Sequence, residues 1–192
     1  LVRFIEEGMI GSIGYSEIAP ASLRRAHSVH PVAAVQSEYS LWTRTPEMGL
    51  IQTCRELGTT FVPFSPLGRA MLAGAVPEPS TLSKSDFRVG NPRFTPENYA
   101  RNKALLEPFH ALAKKKGIAS ATLALAWVLD QDPTLVPIPG TRSIAHLEDN
   151  ARARDVLLSD DDRREIARLL PPGFAHGERY SEAQWIGIER YG

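Results

Sequence analysis

Hydrophobic and polar positions alternate in blocks along the chain. Short apolar runs at 12–16, 33–39, 59–65 and 135–139 each end in a polar or glycine-containing turn. The first is followed by a helical pattern over 20–28, where Pro20 suits the first turn. The second is followed by one over 46–57, closed by Gly58. The third leads into a short turn at 68–74, and the fourth into a helix over 144–152. Strand–helix alternation of this kind predicts parallel βαβ units. The strands are apolar along their length, as strands covered on both faces are. Pro63 and Pro137 fall within these runs, and proline cannot donate to a ladder, so both are expected at strand ends.

Extra material separates the third and fourth strands. Residues 77–96 hold Pro77, Pro79, Gly90, Pro92 and Pro96, a loop long enough to be a functional lid. A helix is expected over 96–116, ended by Gly117. Another is expected over 120–130, with Leu123, Ala124, Trp127 and Val128 on its apolar face. Ser159 caps a further helix, with Asp160, Asp161 and Asp162 at its positive end and Ile166, Leu169 and Leu170 as its stripe. The tail over 171–192 reads as irregular, with a last helix near 181–190. At the other end, Leu1, Val2, Phe4 and Ile5 look like the tail of an amphipathic helix running into a strand. A domain rarely begins in mid-helix, so the chain is expected to be part of something longer.

Composition narrows the function. Lys and Arg total 22 and Asp and Glu total 22 in 192 residues, so the formal net charge is zero. That balance argues against a nucleic-acid or anionic-membrane partner. The single cysteine, Cys54, excludes an intramolecular disulfide framework and a multi-cysteine zinc site. No apolar run approaches the roughly 18 residues of a membrane span, which leads to the expectation of a cytoplasmic protein. Cys54 reads as a buried filler, His27 and His30 as surface side chains, and Trp127 as core. Trp42 suits a pocket wall and simple packing equally.

The fold class is α/β. Four parallel strands with outer helices make either half of a (β/α)8 barrel or a small open sheet. In barrels the chemistry lies at the C-terminal strand ends. Here those ends carry Ser16-Glu17, Gln36-Ser37-Glu38, Ser65 to Arg69 and Gly140 to Ser143. Hydroxyls, an amide, arginines and glycines suit a phosphate-bearing ligand with an amide headgroup. They suit capping and turn roles equally well. Gly140 lets the backbone approach an anion, Arg142 could hold a terminal phosphate and Arg69 a pyrophosphate. There is no G-x-G-x-x-G and no Walker A sequence.

Four stretches resemble the aldo-keto reductases: IGYSE at 13–17, VQSEYSLWTR at 35–44, FSPLGRAMLAG at 64–74 and ALAWVLDQDPTLVPIPGTRSIAHLEDNARA at 124–153. DFR at 86–88, PRF at 92–94 and GERYSEA at 177–183 resemble one bacterial branch of that family. The resemblance runs over essentially all of residues 1–192. It matches the C-terminal, cofactor-binding half of the family's TIM barrel, strands five to eight. It implies NADPH bound in an extended pose across the strand ends. By resemblance, Ser16 and Gln36 hold the nicotinamide carboxamide. Glu17 stands where the family often has Asn, and Phe64 is the ring on which the nicotinamide stacks. Ser65, Leu67, Gly68 and Arg69 line the pyrophosphate. Gly140, Thr141 and Arg142 surround the 2′-phosphate, with His146 nearby, and Asp149 and Asn150 meet the adenine. The family's catalytic Asp, Tyr, Lys and His lie on the first half of the barrel, ahead of Leu1. Tyr15, Tyr39, Lys84 and the histidines stand at the wrong motifs for those roles, so no catalytic residue and no metal ligand is assigned.

The implied activity is NADPH-dependent reduction of aldehydes or ketones to alcohols, with this chain supplying the cofactor site. The alternatives are an NADPH-binding or sensing half-barrel, or a truncated fragment that needs a partner chain. A half-barrel exposes sheet edges, and these lead to an expectation of self-association.

Overall fold

Alternation of apolar runs with amphipathic helices produces a parallel sheet layered on one side by helices. The computed structural model describes residues 1–74 and 78–191; Pro77, counted above in the long loop, lies outside them. A short helix α1 (Val2–Glu6), with no buried residue, precedes β1 (Gly14–Ser16). Then come α2 (Pro20–Val29), β2 (Ala34–Glu38), α3 (Leu50–Leu57) and β3 (Thr60–Phe64). The long loop leads to α4 (Pro96–Lys115) and α5 (Ser120–Gln131), followed by α6 (Ile144–Arg152) and α7 (Asp160–Leu169).

The sheet has three strands in the order β1-β2-β3, all parallel. Four were expected. The run at 135–139 does lie beside β3, where Leu135 bridges Phe61. Phe61 N donates to Thr134 O at 3.2 Å, Val136 N to Phe61 O at 2.9 Å and Ile138 N to Pro63 O at 3.0 Å. The return bond from residue 63 cannot form, because Pro63 has no N–H and sits inside β3 rather than at its end. The fourth strand is thus reduced to a bridge by a proline on its neighbour. Pro137 and Pro139 remove donors from the outer side of the same run, which blunts that edge.

The register sorts the side chains. Tyr15, Val35 and Phe61 share one face, and Ser16, Gln36 and Val62 the other. Val35 and Phe61 are fully buried and Leu135 nearly so, under Leu23, Leu50, Leu72, Phe109, Leu123 and Val128 from the helical layer. The opposite face is open: Ser16 and Gln36 are exposed, Val136 is 53% exposed and Ile138 46%. Expected cover on both faces therefore exists on one face only within this chain.

Local chemistry explains the helix boundaries. In α4, Tyr99, Asn102, Leu106, Phe109 and Ala113 are buried at alternating spacings of three and four, which faces one stripe inward. From Thr122 to Val128 α5 is buried all round, between α4, α6 and the short 3₁₀ turns Met71–Ala73 and Ala153–Asp155. The expected helix over 46–57 is split into a 3₁₀ turn (Thr45–Met48) and α3, because Gly49 adopts φ 125°. Ser159 and Asp162 form a reciprocal capping box on α7, and Lys116 adds an ion pair to Asp162 at 2.7 Å. The expected last helix near 181–190 is only a 3₁₀ turn (Glu182–Gln184). Among the described residues no helix is long and apolar enough to cross a membrane.

Candidate cofactor site

All non-glycine residues with positive φ, among those described, lie at strand ends: Glu17 (53°) after β1, then Ser65 (47°), Arg69 (56°) and Ala70 (78°) after β3. Such backbone strain concentrates where a chain is held for function. Beside it opens a cleft of about 720 Å³. Phe64, Ser65, Leu67 and Arg69 line it from the end of β3 and the loop after it, and Gly140, Thr141, His146, Asp149 and Asn150 from the neighbouring loop and α6. Ala119 and Ala121, at the start of α5, line it with side chains too small to fill it. The loop residues Asp86, Phe87 and Arg88 reach across, so this part of the long loop does border the cleft.

The electrostatics favour an anion there. The helices α5 and α6 both start at the cleft, and neither has an acidic residue in its first turn. Their N-terminal ends therefore carry an unopposed partial positive charge. At the cap of α6, Ser143 Oγ accepts from His146 N at 3.4 Å, and Thr141 Oγ1 accepts from Ser143 N at 3.1 Å. Arg142 and His146 are exposed beside that end. Asn150 is 9% exposed, and its Oδ1 has no hydrogen-bond partner among the described residues. An acceptor so placed fits a ligand donor such as an exocyclic amine.

The remaining expected residues are distributed differently. Ser16 and Gln36 are register partners on the open sheet face, the same face that carries Phe64. Gly68 does not line the cleft; it lies against Trp42, where an added Cβ would come within 2.6 Å of the ring. Trp42 is accordingly packing: it is 4% exposed, stacked near Phe94 (5.7 Å between centroids) and covered by Arg93. Glu17 is committed to other partners. Its Oε1 accepts from Glu38 N at 2.8 Å, and both its oxygens accept from Arg179 at 2.7 Å.

Sequence reasoning missed the groups that brace the site. Glu38 Oε2 accepts from Arg69 Nη2 at 2.9 Å and from Arg179 Nε at 2.8 Å. Burial opposes charge on Glu38, but the Arg69 and Arg179 guanidiniums outweigh it and hold the carboxyl below its ordinary value. Burial pushes Arg93 down to about 10. Asn102, fully buried, accepts from His176 N at 2.7 Å and donates to His176 O at 2.9 Å, fastening the tail to α4. Both Glu38 and Arg179 stand inside motifs quoted above, but a bond across 141 residues leaves no local signal. Cys54 is fully buried, and burial beside Asp132 pushes its thiol up to about 12, so it is inert at neutral pH. Among the described residues no group of three or more His, Cys, Asp or Glu is placed to hold a metal.

Comparison with known proteins agrees with this architecture. A solved glycerol dehydrogenase, AKR11B4 from Gluconobacter oxydans, superposes with a TM-score of 0.78 at 24% identity, over 88% of this chain and 51% of that one. A thermostable aldo-keto reductase, Tm1743, solved with the inhibitor epalrestat, gives 0.62 at 26% identity, over 88% and 52%. A curated relative from Glycine max, a probable aldo-keto reductase, is 46% identical over 180 residues, which is 94% of this chain and 52% of the relative. The chain thus spans about half the length of the curated relative and of the solved structures it matches. The family model for the aldo/keto reductases matches residues 1–171. A parallel half-barrel that carries these motifs over nearly its whole length belongs to the aldo/keto reductase family.

Proposed function

We propose that this chain is the NADPH-binding half of an oxidoreductase that reduces aldehydes or ketones to alcohols. The observation that carries the reading is the cleft at the strand ends, where two helix N-termini, His146 and Asn150, whose Oδ1 has no partner among the described residues, converge, with Arg142 exposed beside the start of α6. NADPH, when bound, supplies the hydride. The chain's own residues bind and orient it. Phe64, half-buried at the end of β3, offers a ring face for the nicotinamide, and Ser16 and Gln36 offer hydroxyl and amide groups for its carboxamide. Ser65 and Leu67, and Arg69 beside Gly68, border the pyrophosphate. Gly140, Thr141, Arg142 and His146 meet the 2′-phosphate at the start of α6, and Asp149 and Asn150 meet the adenine. A guanidinium at the 2′-phosphate favours NADPH over NADH, which lacks that group. Calorimetric titration of the chain with each nucleotide tests this. Saturable binding that prefers NADPH is expected; equal binding of both, or none, refutes the assignment.

The open sheet face supports a second element of the proposal. Val136, Ile138 and the free edge of β1 are positions that a complementary half-barrel covers, from the remainder of a longer protein or from a second copy. Size-exclusion chromatography of the chain alone is expected to show association, and a clean monomer contradicts the second-copy form.

A further inference from the structure

Two carboxylates and two guanidiniums are buried together at the strand ends, with side-chain exposures of 9% for Glu17, 2% for Glu38, 12% for Arg179 and 9% for Arg69. Arg179 belongs to the tail, yet its side chain is bidentate on Glu17 after β1 and also reaches Glu38 at the end of β2. Its backbone carbonyl works in the opposite direction. It accepts from Arg69 Nη1 at 3.1 Å and from Asn91 Nδ2 at 2.8 Å. Arg69 in turn lies 5.3 Å from the Phe87 ring and 4.9 Å from the Tyr180 ring. Arg69 and Phe87 both line the cleft, from its wall and from the loop that crosses it. One residue therefore ties both strand-end carboxylates to the wall and to the crossing loop.

We propose that Arg179 is a positioning residue for the cofactor cleft, latching residues 86–91 and Arg69 onto Glu17 and Glu38 and so setting how long a bound dinucleotide stays. The proposal rests on the NADPH reading for its ligand, and on geometry alone for the latch. Removing one member of a buried ion cluster leaves the others uncompensated, so the cluster opens to water and the tail lifts. Once the tail lifts, Arg69 and Asn91 lose their acceptor together, and the crossing loop is freed at its Asn91 end. Lysine at this position keeps the charge and loses the bidentate fork, so it restores the latch only in part.

The test uses Arg179→Met and Arg179→Lys in the full chain, with circular dichroism to confirm folding. NADPH dissociation, followed by stopped-flow fluorescence, is expected to quicken by about tenfold in R179M and by less in R179K. Limited trypsin digestion without nucleotide supplies the independent readout. Cleavage after Arg88 is expected to rise relative to cleavage after the remote, exposed Arg154, whereas general destabilisation raises both alike. A folded R179M with the wild-type ratio of the two cleavages overturns the proposal, as does a wild-type dissociation rate. If R179M does not fold, R179K decides the ratio. If the wild-type chain binds no NADPH, the cofactor reading fails, and the Arg88 to Arg154 ratio still decides the latch.

Discussion

Gly68 and Gly140 both stand in stretches that resemble nucleotide-contacting loops, and the structure gives them opposite roles. At Gly68 φ is +57°, and a Cβ would lie 2.6 Å from Trp42 Cε3. At Gly140 φ is ordinary and a Cβ would meet nothing within 4 Å. Gly68→Ala therefore brings two costs. Left-handed backbone costs an L-residue about 1–2 kcal/mol. Pressing the methyl into a ring that cannot retreat costs about 1–3 kcal/mol more. The ring cannot retreat because Trp42 is 4% exposed, with Phe94 beside it and Arg93 over it. Reduced freedom of the unfolded chain returns about 0.4–1 kcal/mol. The net is a loss of about 1–4.6 kcal/mol, centred near 3 kcal/mol, which at this size lowers the melting temperature by about 6–12 °C at the centre of the range. Gly140→Ala leaves stability within about 0.5 kcal/mol of wild type. Its methyl enters the proposed site instead and is expected to weaken NADPH. Urea denaturation with nucleotide titration separates the two effects. A Gly68→Ala variant as stable as wild type refutes the claim that the loop after β3 is held by Trp42.

Further outcomes follow from the same geometry. Arg142→Ala is expected to weaken NADPH by about 10- to 100-fold and leave NADH unchanged, by titration with each, because only the 2′-phosphate loses a charged partner. Asn150→Ala is expected to weaken both nucleotides by about five- to tenfold without destabilising the free chain, since the lost oxygen has no partner among the described residues; thermal melts with and without ligand check this. Asn102→Ala removes the partner of the part-buried His176 N–H and carbonyl and is expected to cost about 1–2 kcal/mol in urea denaturation. Hydrogen bonding from Lys116, supported by Ser159, holds the Asp162 carboxyl down at about 2. A depressed folded pKa stabilises above the unfolded value and is lost as pH falls through the folded one, so this contribution disappears between about pH 4 and pH 2. Asp162→Asn is expected to flatten that part of the stability–pH curve by about 1 kcal/mol, the pair being close to the surface.

Where structure is set by neighbours in sequence, the amino acids announce it. The start of α7 is legible because Ser159 and Asp162 cap each other three residues apart. The bounds of α6 follow from Ser143 and the apolar spacing behind it. The family motifs extend this to the strand ends, because those loops carry conspicuous residue types. The misreadings share a different cause. The fourth strand fails as a ladder because of Pro63, a residue on another strand, and only knowledge of which strands pair reveals that. Open cover on one sheet face is likewise invisible in apolar runs such as 135–139. Glu17 looks like a variant ligand position until Arg179, 162 residues away, is found on its carboxylate. Trp42 could not be assigned from its neighbours because its partners, Gly68, Phe94 and Arg93, come from two other loops. Charge and polarity identify such residues as candidates, and only the tertiary fold says which of them face a ligand and which face each other.

The proposed NADPH site is the cleft between the end of β3 and the starts of α5 and α6. Amide chemical-shift mapping of the labelled chain during an NADPH titration tests it most directly. Saturable shifts are expected at Ser65, Leu67, Thr141 and Asn150, with Phe87 and Arg88 following. Shifts gathered instead around Trp185 and Arg190, or no shifts in a folded chain at saturating nucleotide, would contradict it.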